Sequence, residues 1–449
     1  MNSRFIPPDI GAPSAVRFPA IERQTLDTGL SVWAIPHRAL PVFTAALVLP
    51  FGSAQDPASS PGLAGVLGAL LNEGAGDRHA LDLAAAFAAL GTELTVDVGS
   101  DVTTVSFTAL TKFFEPALDL LFDVVARPRL DAEDFARVVE IRLNRLRQMR
   151  SSASAMADRA FLRGVFGPHS YGHGVIGTAE SLSALTVEDV RAFHAAHVHP
   201  LGTTCVIAGD LNGADVHALL ARHAERWAST RPVHAEVIAT PLPQEPRVLV
   251  VDRPGAPQTE VRVGHLGPTR HVDEYYALVV MNAVLGGQFT SRINLNLREA
   301  RGLTYGAHTS LDFRAASGLF LCDTAVQADA TALVVSEILA EFEAIGSSRP
   351  AEGDELARSK ASLTRGYVRQ FETPAQLAIA ACRLTTYGLP DDTFARFVPS
   401  VAAIESADVT AAARKYVRPQ QAIVALVGDA ALWESQLAQL GRPVERVEV

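Results

Sequence analysis

Cysteine is scarce in this chain: Cys205, Cys322 and Cys382 are the only three among 449 residues. An odd number of widely separated thiols fits neither a disulfide framework nor a zinc ribbon, so they read as buried thiols of a reducing compartment. Long apolar runs are missing too. The longest helix-like ones, Leu63 to Leu71 and Leu81 to Leu90, fall short of the roughly 20 residues that span a bilayer. Met1 to Pro8 contains no apolar core of the ~7–15 residues that a secretory signal needs, so a cytoplasmic location is expected, with a periplasmic one left open. Positive charge is in deficit, with 39 Lys and Arg against 49 Asp and Glu, for a net charge of −10. Without basic clustering, that balance argues against nucleic acid or an anionic membrane as the main partner. Gly286-Gly287 invites the thought of a phosphate cradle, but neither Gly-x-x-x-x-Gly-Lys nor Gly-x-Gly-x-x-Gly is present. No Gly-x-Ser-x-Gly elbow supports a serine nucleophile.

What is present is material for more than one core. Single cores stop growing near ~250–300 residues, and 48% of this chain is apolar, so two domains or more are expected. They are copies of one another. Asp189-Val190 leads through Val198-His199-Pro200 to Ala208-Gly209-Asp210, and Asp408-Val409 leads through Val417-Arg418-Pro419 to Val427-Gly428-Asp429, each at a constant offset of 219 residues. In each copy a helix stops before proline and a short apolar, β-rich run follows, as in a strand covered on both faces. Strands are expected at Val42–Leu49, Thr92–Val98, Val102–Phe107, Val261–Leu266 and Gly318–Thr324, and helices at Ala80–Leu90, Asp131–Arg147 and Tyr275–Leu285. Prolines 232, 241, 243 and 246 mark an extended linker. The expected organisation is an α+β fold of two tandem homologous domains, 1–230 and 247–449 joined by a linker at 231–246, each a mostly antiparallel sheet with helices on one face.

Two motifs carry chemistry. The run from Gly286 to Tyr305 reads Gly-Gly-Gln-Phe-Thr-Ser-Arg-Ile-Asn-Leu-Asn-Leu-Arg-Glu-Ala-Arg-Gly-Leu-Thr-Tyr, and Gly62-Leu63-Ala64-Gly65-Val66-Leu67-Gly68-Ala69 precedes an Asn72-Glu73-Gly74 turn. Together with the duplication they resemble the pitrilysin (insulinase) zinc metallopeptidases, the likeness covering nearly the whole chain from Thr25 to Asp429. In that family the first-half helix carries His-x-x-Glu-His, two zinc ligands and a general base. Here those places fall on Gly65, Gly68 and Ala69, which can neither bind a metal nor move a proton. The family's third ligand is a Glu some seventy residues on, and Glu140 lies in roughly that place. One carboxylate without its histidines makes no zinc site, so Glu140 reads as a solvated or salt-bridged helix residue.

The second motif is intact. The resemblance assigns Arg298 and Tyr305 to a peptide lying at the zinc of an opposite half, the guanidinium holding peptide carbonyls and the phenol donating to the developing oxyanion. Without the resemblance, Arg298 is a surface ion pair with Glu299 or a neighbour and Tyr305 a core aromatic. His194-x-x-His197 imitates a ligand pair, but His199 leaves that helix face before Pro200, and His169-Ser170-Tyr171-Gly172-His173 resembles a structural turn of the same family. The basic run Arg142 to Arg150, balanced by Asp131, Glu133, Asp134 and Glu140, reads as a charged solvent face. The expectation is a non-catalytic subunit that binds no cofactor itself, paired with a homologous zinc-bearing subunit and acting on unfolded peptides. A catalytically dead scaffold or peptide-binding protein of the same family is the alternative.

Overall fold

The computed structural model describes residues 11, 15–211, 213, 215–227 and 238–448. Of the expected linker, residues 231–237 lie outside the described residues, and 238–246 carry no helix or strand. The first half builds a six-stranded sheet from β1 (Glu22–Thr25), β2 (Ser31–Pro36), β3 (Val42–Leu49), β6 (Thr95–Val98), β7 (Thr103–Leu110) and β8 (Thr204–Gly209), in the order β1-β2-β8-β3-β7-β6. A two-residue hairpin, β4 (Gly74–Ala75) with β5 (Arg78–His79), stands apart. The second sheet uses β9 (Val248–Asp252), β10 (Gln258–Gly267), β11 (Thr304–Asp312), β12 (Gly318–Gln327), β13 (Ile423–Gly428) and β14 (Val444–Arg446), ordered β11-β12-β10-β13-β9-β14.

The duplication is visible in this order. Removing β1 and β14 leaves β2-β8-β3-β7-β6 and β9-β13-β10-β12-β11, which are the same sequence of strands. The repeated run ends each copy as the same strand, β8 or β13, parallel to the first core strand and antiparallel to the next. The sixth strands differ in origin: β1 is a hairpin partner of β2, whereas β14 returns from the far end to lie parallel to β9.

Helices from the same half cover one face of each sheet. In the first half these are α1 (Leu63–Leu70), α2 (Ala80–Ala89), α3 (Phe114–Ala126), α4 (Ala132–Met149), α6 (Ala179–Ala184), α7 (Val187–His197) and α8 (Val216–Trp227); in the second, α9 (Tyr275–Leu285), α11 (Thr331–Ile345), α14 (Thr393–Ala403) and α15 (Ser406–Tyr416). A further pair crosses over. α5 (Ala153–Phe166) belongs to the first half but lays Ala157, Phe161 and Val165 on Leu249, Ile423, Ala425 and Val427 of the second sheet. α13 (Pro374–Tyr387) of the second half puts Leu377, Ala378 and Ala381 on Ile35, Ala46, Val206 and Ala208 of the first. The expected one-faced helix layer is therefore completed by a single exchanged helix on the opposite face. This exchange is why β8 and β13 are apolar throughout: Cys205 and Ile207 face their own helices while Val206 and Ala208 face α13.

A polar contact also joins the halves. Asp101, in the turn between β6 and β7, accepts from the Tyr171 phenol and, at 2.9 Å, from the Ala315 amide. The same phenol oxygen accepts from the Ala316 amide at 3.2 Å. Tyr171 is buried, so the expected turn at 169–173 is structural.

Candidate functional site

The helix α1 has no histidine or glutamate to present, and the neighbouring residues close over the gap. A Cβ on Gly65 would lie 2.3 Å from both Arg142 Nη2 and the Val175 carbonyl oxygen, and one on Gly68 would lie 2.3 Å from Val98 Cγ2. The guanidinium of Arg142, on α4, donates to Gly65 O at 3.1 Å and to Val175 O at 2.5 Å. Glu140, by contrast, points to solvent. The sequence placed Arg142 on a solvent face; the structure turns it inward, and only the later part of that run is exposed. Arg142 lies one helical turn from each of the buried residues Val138 and Leu146, and that spacing was the available signal.

Asp56 completes this cluster. Its side chain is fully buried and accepts from the Gly62 and Ala64 amides at 2.7 Å each, filling the capping role at the start of α1. Burial pushes its carboxyl up to about 7, opposed by those two amides and by Arg142. Burial likewise lowers Arg142 to about 10, with Asp56 opposing. His173 Nδ1 stands 3.8 Å from Asp56, and burial lowers the imidazole pKa. These residues do not fit a zinc ion: a cationic guanidinium fills the space beside Gly65. Among the described residues, no three His, Cys, Asp or Glu are placed to hold a metal.

The histidines are tied to the backbone. His194 Nε2 donates to Val125 O at 2.8 Å, and His199 sits between the carbonyls of Leu201 and Ala196 at 3.0 and 3.1 Å. His169 Nδ1 accepts from the Tyr171 amide at 3.0 Å. His197 packs on Phe193 and Phe51.

The intact motif divides into a buried platform and an exposed surface. α10 (Arg292–Asn294) runs into a π-helical turn at Leu295–Ala300, a geometry that recurs at functional sites. Arg292 is buried and forms a two-pronged ion pair with Glu355 while donating to the Arg349 and Pro350 carbonyls. Asn294 pairs with both backbone groups of Ala307, at 2.7 and 2.9 Å, where β11 slips register against β12. Gly286 admits Thr309, which would stand 2.6 Å from a Cβ there.

On that platform Arg298 and Tyr305 come together. Tyr305 is 91% exposed, which rules out the core aromatic considered above. Arg298 is half-buried, with its guanidinium 4.0 Å over the Phe289 ring and 5.5 Å from the Tyr305 ring. Its one ion pair, to Glu299 at 3.6 Å, is long, and among the described residues the guanidinium donates no hydrogen bond. Phe289, itself 65% exposed, is a member of this surface that the sequence reading did not single out. β11 is an edge strand, so Tyr305 stands beside backbone groups open to pairing.

Comparison with known proteins agrees with this architecture. Residues 34–179 match the family described as insulinase (peptidase family M16), and residues 184–363 match the peptidase M16 inactive domain. An uncharacterized zinc protease of Mycobacterium tuberculosis (strain ATCC 25618 / H37Rv) is 30% identical over 364 residues, 80% of this chain and 82% of that relative. Another, of Mycobacterium leprae (strain TN), is 29% identical over 364 residues, 79% of each. Two solved structures share the fold: the peptidase M16 inactive domain from Pseudomonas fluorescens, with TM-score 0.85 and 24% identity over 91% of this chain and 98% of that one, and a protease from Helicobacter pylori, with TM-score 0.86 and 18% identity over 92% and 100%. The fold is that of a duplicated α+β protein, shared with these structures. The chain belongs to the M16 (insulinase) peptidase family.

Proposed function

We propose that this chain is the non-catalytic subunit of a heterodimeric M16 zinc metallopeptidase. The homologous partner carries the zinc ligands and base, and this chain supplies Arg298 and Tyr305 to the peptide held there. The observation that carries the reading is the asymmetry between the two motifs. At α1 a ligand place and the base place are glycines, Gly65 and Gly68, with neighbours packed against them, whereas Tyr305 is exposed and Arg298 keeps its hydrogen-bond donors open on a platform fixed by Arg292 and Asn294. Exposed aromatic and guanidinium groups with open donors suit a peptide backbone, the first by stacking and the second by paired hydrogen bonds to carbonyls. An extended peptide gains further bonds by adding to a sheet edge such as β11, which makes recognition depend on backbone more than on sequence.

The test is an assay of unstructured peptides with this chain alone, with a His-x-x-Glu-His homologue alone, and with both. Turnover is expected only in the mixture. Tyr305→Phe is expected to lower it about 10²-fold, as loss of an oxyanion donor does, with the folded state unchanged because the phenol is solvent-facing. A partner equally active without this chain refutes the proposal. The scaffold reading predicts instead that the mixture's activity is indifferent to Arg298 and Tyr305.

A further inference from the structure

Several arginines in this chain pair with carboxylates: Arg137 with Glu73 and Asp134, Arg262 with Asp158 and Glu260, and Arg349 with Glu341. Four that share one groove do not. Arg147 and Arg150, at the end of α4, and Arg159 and Arg163, one turn apart on α5, line a single groove of about 870 Å³, and none of their guanidinium groups has a hydrogen bond or ion pair among the described residues. Arg159 is half-buried; burial is the main cause that disfavours its charge, Arg163 and Arg150 add to it, and Glu180 opposes them. Glu180, on α6, bonds to none of the four; Asp252 and Glu448 line the far side of the groove together with Arg446, which pairs with Asp252 and Glu434. Arg147, Arg150 and Arg163 are exposed at the rim and Arg159 lies deeper; in a chain with ten more acids than bases, such a local concentration of positive charge in a cleft focuses the field that attracts an anion.

We propose that the groove between α4, α5 and α6 binds a small organic anion with two or more negative charges, a phosphate ester or a polycarboxylate, through Arg147, Arg150, Arg159 and Arg163. The volume lies within the ~300–1,000 Å³ typical of small-molecule sites. Guanidinium groups match both kinds of anion with paired, charge-assisted hydrogen bonds. Leu143, Leu146, Met149 and Met156 form an apolar wall for the uncharged body of the ligand. A second groove of about 380 Å³ shares Arg159 and Arg163 and continues toward His169 and His173. The site is separate from Arg298 and Tyr305 and does not depend on the peptidase reading.

The test is calorimetric titration of the full chain with pyrophosphate, with citrate and with a hexaglutamate peptide, at low ionic strength where charge recognition is least screened. Pyrophosphate or citrate is expected to bind with saturation, identifying the phosphate or carboxylate class. Arg159→Gln and Arg163→Gln are each expected to weaken it about tenfold or more, the loss of one charge-assisted contact. Arg396→Gln, which removes a surface arginine paired with Asp392, is the charge control and is expected to leave binding unchanged. Without ligand, Arg159→Gln is expected to melt at the same temperature as the parent chain or higher, because it removes repulsion; a purely structural arginine would destabilise when lost. No saturable binding of either small anion, or binding that both groove variants retain, overturns the proposal. Hexaglutamate binding tenfold tighter than both also overturns it, in favour of an acidic protein segment.

Discussion

Replacing Gly65 by alanine is the sharpest probe of the α1 cluster, because two physical effects predict opposite signs. In a helix interior, glycine costs about 1 kcal/mol relative to alanine, so propensity alone makes Gly65→Ala stabilising. Packing argues the reverse. The new methyl would stand 2.3 Å from Arg142 Nη2 and from Val175 O, far inside contact distance, so the guanidinium or the 174–177 segment must move. Such overpacking costs about 1–3 kcal/mol. If Arg142 swings away it also gives up its bonds to Gly65 O and Val175 O, each worth about 1.5–3 kcal/mol when one partner is charged. After subtracting the propensity gain, the net loss is up to about 2 kcal/mol if the neighbours only shift and about 2–5 kcal/mol if Arg142 gives up both bonds, read as a lower urea midpoint with an unchanged slope. Arg142→Ala should recover part of it, because the Val175 carbonyl still meets the methyl, and a double-mutant cycle should show coupling between the two sites. A Gly65→Ala chain about 1 kcal/mol more stable than its parent would refute the reasoning.

Other perturbations follow from the same geometry. Asp56 has its folded pKa raised by burial to about 7, so the unfolded state releases its proton first. Stability is then fully present below about pH 4 and falls as pH rises toward 7, and Asp56→Asn should flatten that part of a stability-versus-pH curve; an identical slope in the variant would contradict the assignment. Tyr171→Phe leaves Asp101 and the Ala316 amide without a shared partner and should cost about 1–3 kcal/mol in denaturant unfolding. Leu377 is fully buried between α13 and the first sheet, so Leu377→Ala should cost about 2–5 kcal/mol. Residues 1–230 expressed alone should remain poorly folded, because they lack α13, as limited proteolysis would show.

Much of the fold was legible because its signals are local. The constant spacing between repeats anticipated two sheets with one strand order, and the apolar runs at Cys205–Ala208 and Val424–Val427 announced strands buried on both faces. What covers the second face was not legible. The apolar stripe of α5 says that Phe161 and Val165 are buried, but nothing in a periodicity names the sheet that buries them. α13 poses the same problem: its capping box, Thr373 with Gln376, fixes where the helix starts and not where it docks. At the candidate site, Arg298 and Tyr305 were found by motif and their exposure by structure. Phe289 escaped because one aromatic beside a glycine turn is unremarkable until the Arg298 guanidinium is seen above it.

Arg142 bears on how the α1 position should be understood. Had its side chain pointed to solvent, the absence of zinc ligands would leave an open notch, and three substitutions to His, Glu and His would suffice to refill it. The notch is closed instead. A guanidinium bonded to Gly65 O and Val175 O occupies one ligand place, Val98 presses on Gly68, and Asp56 holds the amides that start the helix. A histidine at 65 would therefore meet a buried cation before it met a metal. The triple substitution Gly65→His, Gly68→Glu, Ala69→His should yield a destabilised chain without tight zinc, measurable by metal analysis after dialysis, and adding Arg142→Ala should restore stability before it restores metal. Stoichiometric zinc in the triple variant alone would show that the neighbours yield easily, and that glycine at 65 and 68 reflects only the loss of a constraint.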